Sequence, residues 1–424
     1  MLCSEIISNI EKGVLDGRFK ELYGEDAVTA QRLRYKAAGE SFLSLYGDGE
    51  TVVLSVSGRS EISGNHTDHN KGCVLAASVD VDIIAFAKKS GDGVVRVKSA
   101  GFDEDVCDLS LKEHGDIRYS SRAIIYGVED GFRKKGYVTG GFSAYTTSTV
   151  LKGSGLSSSA AFEDMIGYIF SVLYNGSAVP AVEIAKISRY AENEFFGKPC
   201  GLMDQVACAV GGFVFIDFGG DEPVIERIPF DLSAAGYDLC IVNTGGNHAD
   251  LNEDYASVPA EMKAVAGLFG KKVLRGLTED DIYGHLPYIR EKLGDRAALR
   301  AIHFIRENFR VNVQRKALLE GDIGTFLGRV RASGDSSYKY LQNVYTVKNP
   351  EEQGLSLALC ITERLLGGNG AFRVHGGGFA GTIQAFVPHR KTADYKKDIE
   401  KIFGAGSCTV LHVRAEGLAP VVKE

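Results

Sequence analysis

No run of about 18 consecutive apolar residues occurs in the chain, so nothing in it reads as a membrane-spanning helix. A basic excess is missing too. Lys and Arg total 48 against 55 Asp and Glu, a formal charge of −7, which argues against a nucleic-acid binder with a positive face. No two of the eight cysteines (Cys3, Cys73, Cys107, Cys200, Cys208, Cys240, Cys360, Cys408) stand in a CxxC spacing. Thiols scattered over 424 residues predict reduced, mostly buried side chains and a cytoplasmic setting, not a disulfide frame or a zinc site. The opening MLCSEIISNIEKGVLDGRFK carries Glu5, Glu11 and Asp16 and lacks the apolar centre of a secretory leader. Internal repeats and low-complexity tracts are absent. So is G-x-x-x-x-G-K-[ST], which excludes a Walker-type phosphate loop.

What is present is the balance of a soluble globular protein, 44% hydrophobic and 24% charged, in a chain long enough for two or three domains. Residues 4–46 read as helical. TVVLSVSGR (51–59), GCVLAASVDVDIIAFAKKS, GVVRVKSA and GGFSAYTTSTVL read as strands, with a helix-like RYSSRAIIYGVEDGFRKKG before the last. Phe162, Met165, Ile166, Ile169, Phe170 and Leu173 repeat at helical spacing, so an amphipathic helix starts at the serines of GLSSSAA. A second helix is expected over roughly 180–195, and GGFVFIDF (211–218) as a strand. The Gly/Asp/Pro-rich stretch 219–236 suggests a boundary, giving an N-terminal domain 1–225 and a C-terminal domain 226–424. Beyond it come the strand YDLCIVNTG, helical stretches from about 251 to 370, and the strands TIQAFVP and CTVLHVRAEG. The fold class is α+β, not a regular βαβ repeat.

Four segments carry chemistry. KGSGLSSSAA (152–161) is a Gly-Ser loop opening a helix. Glycines let backbone approach a ligand, and N–H groups at a helix start favour a phosphate, although the same residues also make an ordinary N-capped turn. GRSEISGNHTDHNKG (58–72) packs Arg59, Asn65, His66, Asp68, His69 and Asn70 behind a buried strand. That density of hydrogen-bonding groups suits a polyhydroxylated ligand; a metal at His66, Asp68 and His69, or a merely solvated loop, are the alternatives. AENEFFGKPCGLMDQ (191–205) sets Glu192 near the end of a helix and Asp204 in a Gly-bounded turn, a pair able to divide metal binding from proton acceptance. A lone glutamate on a helix is more often a surface acid. FRVHGGGFAGTIQAFV (372–387) formally contains G-x-G-x-x-G through Gly376, Gly378 and Gly381, but a strand follows and not a helix. A dinucleotide fold, and with it an oxidoreductase, is therefore disfavoured, and a Gly loop packing against another loop near the site fits better.

In this order the segments resemble the GHMP small-molecule kinases, and within them the galactokinase family. The second resembles that family's G-R-V-N-L-I-G-E-H-T-D-Y-N-G-G signature, and the first its G-L-S-S-S-A phosphate loop. The third resembles A-E…C-G-I-M-D-Q, the fourth the late Gly-rich motif, and NHADLNEDY (247–255) the N-V-x-H-x-L-x-x-S-E-Y segment. The resemblance implies two domains with the active site in the cleft between them, and ATP and a galactose-like sugar as substrates. It also implies a non-catalytic sugar sensor as the rival use of the same scaffold. Carried over by position, Asp204 would be the catalytic base and Arg59 its electrostatic partner. Ser159 and Glu192 would hold Mg²⁺, and Gly153, Ser154, Gly155, Leu156, Ser157, Ser158 and Ser159 would surround the nucleotide phosphates. Asn65, His66, Asp68, Gly201 and Tyr255 would contact the sugar. Two departures are visible: Asn65 stands where the family has glutamate, near the sugar's C6 group, and His69 where it has tyrosine. The first admits a C6-modified sugar such as galacturonate as an alternative substrate.

Overall fold

The computed structural model of the chain describes residues 1–111, 115–150, 155–246 and 251–422. The strands are β1 (Val52–Ser63), β2 (Cys73–Lys89), β3 (Val94–Ser99), β4 (Glu104–Asp108), β5 (Phe142–Ser148), β6 (Phe213–Asp217), β7 (Val224–Ile228), β8 (Tyr237–Asn243), β9 (Ala371–His375), β10 (Thr382–Pro388), β11 (Cys408–Leu411) and β12 (Leu418–Pro420). One sheet runs β12-β1-β2-β5-β3-β4, with β6 on β2 and β7 on β6; the other runs β11-β8-β10-β9. The helices of the first half are α1 (Cys3–Glu11), α2 (Asp16–Tyr23), α3 (Val28–Tyr46), α4 (Ser121–Lys134), α5 (Ser158–Asn175), α6 (Ala181–Tyr190) and α7 (Met203–Val210). Those of the second are α8 (Asn252–Leu268), α9 (Glu279–Gly284), α10 (Leu286–Leu293), α11 (Asp295–Leu319), α12 (Ile323–Ser336), α13 (Gly354–Leu366) and α14 (His389–Phe403).

The site is built around β1. Every residue from Val53 to Ser63 is buried, polar ones included, because β1 lies between β12 and β2 and is covered on its faces. Its pairing with β2 slips twice, between Ser57 and Gly58 and between Glu61 and Ser63. Such irregularities bend a strand and re-aim its side chains. They also free backbone carbonyls, which must find other donors. Arg373 of β9 donates Nη1–H to the Ile62 carbonyl at 3.0 Å. Gln384 of β10 donates to the carbonyls of Glu61 at 2.8 Å and Ile62 at 3.1 Å. The second sheet is thereby stitched to the irregular end of β1.

Two local expectations change. Asp204 lies in the first turn of α7, not in a Gly-bounded turn, and there the helix dipole favours its charge. Glu192 is not a surface acid. It is 4% exposed, in a π-helical turn (Ala191–Phe196) that continues α6 and turns the side chain inward. The expected division at 225/226 falls inside β7, which pairs with β6 in the first sheet, and β12 returns to that sheet from the far end of the chain.

Candidate functional site

Arg59, on β1, meets Asp204 in a two-point ion pair: Nε–H donates to Oδ1 at 2.9 Å and Nη2 stands 2.6 Å from Oδ2. Its third nitrogen donates to the Gly155 carbonyl, so one guanidinium ties the strand, α7 and the Gly-Ser loop together. Ser157 donates to Asp204 Oδ2 at 2.5 Å. That bond holds Ser157 in the left-handed region (φ 57°), a conformation a serine adopts only when its surroundings enforce it. Burial opposes ionisation of Asp204. The Arg59 guanidinium and the Ser157 hydroxyl outweigh it, and the carboxyl lies below its ordinary value.

Two cavities lie near this pair, the first lined by Arg59 and Asp204 themselves and the second by Ser158, the residue next to Ser157. The first, of about 230 Å³, is lined by Arg59, Asp204, Asn65, His66, Asp68 and Gly201, together with Glu61 and the Gly376–Gly377 backbone. Asp68 faces Gly201 so closely that a Cβ there would meet its Oδ2 at 2.9 Å. His66 donates Nε2–H to the Gly377 carbonyl at 2.9 Å. Asn65 lines the wall, yet its amide is filled from within the protein. It donates to Glu61 Oε1 at 3.0 Å and the Gly376 carbonyl at 2.7 Å, and accepts from Asn343 at 2.7 Å and Ser337 at 3.4 Å. Tyr255 does not line this cavity; its hydroxyl donates to the Gly378 carbonyl at 2.7 Å, bracing the glycine loop from behind. At Gly378 (φ 84°) a Cβ would lie 2.0 Å from the Asn343 carbonyl oxygen, so this glycine is there for close packing of backbone on a neighbouring loop.

The second cavity, of about 700 Å³, has an apolar wall that includes Phe102, Tyr119, Ile124 and Phe196. Ser158, Ser159, Glu163, Glu192 and Lys198 also line it. Ser158 begins α5, an 18-residue helix, so its N-terminal N–H groups point at this space. Glu192 faces Lys198 Nζ at 3.4 Å. Gln205 donates to Glu192 at 3.0 Å and to Glu163 at 2.9 Å, joining two buried acids. Burial first, then the neighbouring Glu192 charge, pushes the Glu163 carboxyl up to about 8. Gly155, Leu156 and Ser157 thus bond to Arg59 or Asp204, and Ser158 and Ser159 line the second cavity, whereas Gly153, Ser154 and the segment 247–250 lie outside the described residues. Glu61, Glu163, Lys198 and Gln205 were not singled out from the sequence. Gln205 had a signal, standing beside Asp204 inside the quoted motif; Lys198 had none.

Known proteins resemble this chain in sequence and in fold. The chain matches the GHMP kinases N terminal domain over residues 123–212 and the galactokinase galactose-binding signature over residues 40–89. It is 32% identical over 374 residues to the galactokinase of Streptomyces coelicolor, spanning 87% of this chain and 92% of that relative. A galactokinase of Actinobacillus pleuropneumoniae is 31% identical over 370 residues, 85% of this chain and 92% of its own length. Among solved structures, Lactococcus lactis galactokinase in complex with galactose superposes with a TM-score of 0.74 at 23% identity, covering 90% of this chain and 98% of that one. Mevalonate kinase of Methanococcus jannaschii superposes with 0.60 at 15% identity, over 86% and 99%.

Proposed function

The chain belongs to the galactokinase family of GHMP kinases, and from that premise we propose that it transfers the γ-phosphoryl group of ATP to the anomeric hydroxyl of galactose, giving galactose 1-phosphate and ADP. The observation that carries this reading is the Arg59–Asp204–Ser157 contact, whose ion pair lines a small polar cavity while Ser158, next to Ser157, lines a larger one. A sugar in the first presents a hydroxyl to Asp204, and a nucleotide in the second lays its phosphates along the start of α5. Asp204, held ionised, accepts the hydroxyl proton as the phosphorus–oxygen bond forms. Arg59 fixes the carboxylate and stabilises charge on the transferring group. His66, Asp68 and Gly201 orient the sugar ring, which converts much of the barrier into binding geometry.

Ser159 and Glu192 fit a divalent cation, since one cavity wall offers an alcohol and a buried carboxylate. Mg²⁺ bound there supplies positive charge for the β- and γ-phosphate oxygens. No helix among the described residues is long and apolar enough to cross a membrane, and the eight cysteines carry no disulfide, which supports a reducing, cytoplasmic setting. Two domains with the cleft between them belong to the same reading, the boundary falling after β7 and β12 returning to the first sheet.

Initial rates of ADP release with galactose, galacturonate, N-acetylgalactosamine and arabinose, each with ATP, test it. Galactose should give the highest kcat/KM by at least tenfold. A faster N-acetylgalactosamine or galacturonate would replace galactose as substrate, and no sugar-dependent ADP release would favour a sensor.

A further inference from the structure

Laid on Gly58–Gly72 without a gap, the family signature G-R-V-N-L-I-G-E-H-T-D-Y-N-G-G has asparagine where Glu61 stands and glutamate where Asn65 stands. The amide and the carboxylate have changed places. In space they form one pair, with Asn65 Nδ2 donating to Glu61 Oε1 at 3.0 Å. All the hydrogen-bonding capacity of the Asn65 amide is used within the protein. Glu61 differs. Its Oε1 also stands 3.5 Å from Arg373 Nη2, whereas its Oε2 has no hydrogen-bond partner among the described residues. The side chain is 9% exposed, and what it exposes lines the 230 Å³ cavity two residues along β1 from Arg59. A carboxyl oxygen in so enclosed a place needs a hydrogen-bond partner, and a sugar hydroxyl in this cavity can supply one.

We propose that Glu61 is a specificity-determining residue whose free Oε2 accepts a hydrogen bond from a sugar hydroxyl, the carboxylate having moved from position 65 to position 61. This rests on the kinase reading above and deepens it: the substrate is a neutral hexose, and a sugar carrying a carboxylate is refused. The amide at position 65 does not open the cavity to galacturonate, because the Glu61 carboxylate is its direct neighbour and two anions close together in a partly desolvated cavity repel.

The test is a cycle run on both protein and substrate. Galactose and its 2-, 4- and 6-deoxy analogues are compared in the wild type and in Glu61→Gln, with the KM for ATP and the unfolding temperature as controls. In the wild type one deoxy sugar should lose at least tenfold in kcat/KM, since a site built around a hydroxyl rejects the analogue lacking it. In Glu61→Gln the galactose KM should rise about tenfold with kcat within threefold and the ATP KM unchanged. The penalty for that one deoxy sugar should shrink to within about twofold, and galacturonate should gain at least tenfold relative to galactose. The double variant Glu61→Asn with Asn65→Glu, which restores the family arrangement, should regain galactose affinity and serves if the single variant does not fold. A galactose KM within twofold of wild type in Glu61→Gln, or deoxy-sugar penalties unchanged by it, would overturn the proposal. A wild type that phosphorylates none of these sugars overturns the kinase reading instead.

Discussion

Asp204 answers to two opposed influences. Burial alone would raise its pKa, and the bidentate Arg59 with the Ser157 hydroxyl lowers it further than burial raises it. A depressed pKa keeps the proposed base ionised throughout the neutral range, so the acid limb of kcat/KM should fall below about pH 4, the ordinary carboxylate value, with no step between pH 5 and 8 from this group. Asp204→Asn keeps the shape and removes the basic oxygen. Its kcat should drop roughly 10²–10⁴-fold with ATP and sugar binding retained; isothermal titration beside steady-state rates checks both halves, and more than about a third of wild-type kcat would end the assignment. Ser159→Ala and Glu192→Ala should raise the Mg²⁺ concentration needed for half-maximal rate while leaving the sugar KM within about threefold. An unchanged Mg²⁺ titration in both would remove them from the metal site. Arg59 and Asp204 could be picked out as candidates because each stands in a segment resembling a family motif, Arg59 among polar neighbours and Asp204 among the apolar Leu202, Met203 and Val206. The burial of Glu192 was not legible in the sequence, since a π-helical turn leaves no periodic trace and a single glutamate in a helix usually faces water.

At the scale of the element, the loop after β1 is held by Glu307 of α11. Its Oε1 accepts from Ser63 Oγ at 2.9 Å, from the Gly64 N–H at 3.0 Å and from Ser333 Oγ at 2.5 Å, and its Oε2 accepts from Arg310 at 2.7 Å. Burial opposes this charge, yet Arg310 and the other partners hold the carboxyl far below its usual range. A folded pKa depressed in this way adds stability above the unfolded value near 4.3, and that stability is lost as pH falls toward the folded value. Glu307→Gln should therefore cost on the order of 3 kcal/mol at pH 7 by leaving Arg310 uncompensated, and its deficit relative to wild type should narrow toward pH 3. Urea unfolding at the two pH values measures it; equal stability of the two proteins at pH 7 would contradict the role. The long elements were readable from hydrophobic period and β-branched runs. Helix α7 was not, because MDQVACAV spans eight residues between glycine-flanked turns, too short for its period to declare itself. The slips in β1 were equally hidden, as they depend on what β2 and Gln384 offer from across the fold.

At the scale of the molecule, the chain closes on itself. Strand β12 pairs with β1 through Leu54↔Pro420, Ser55↔Ala419 and Val56↔Leu418. Arg414 reaches Ser55 Oγ at 2.7 Å and Asp82 at 3.3 Å, and Arg18 of α2 forks onto Glu416 at 2.6 and 2.8 Å. A three-residue strand returning across more than half the sequence has no local signature, which is why the boundary reading at 225/226 could not anticipate it. A fragment of residues 1–225 lacks β12 and Arg414, leaving one edge of β1 unpaired and Asp82 with only Arg34 as its cation. It should show no cooperative thermal unfolding by circular dichroism, whereas the full chain should; a cooperative transition in the fragment would mean the first sheet stands alone. The proposed function converges on one chemical event, the arrival of a phosphoryl group at a hydroxyl proposed to lie against Asp204. Phosphorus NMR of the product formed from ATP and galactose observes that event directly. A sugar phosphate coupled to the anomeric proton, formed one for one with ADP, is the expected result, and phosphate on any other carbon, or inorganic phosphate alone, would contradict it.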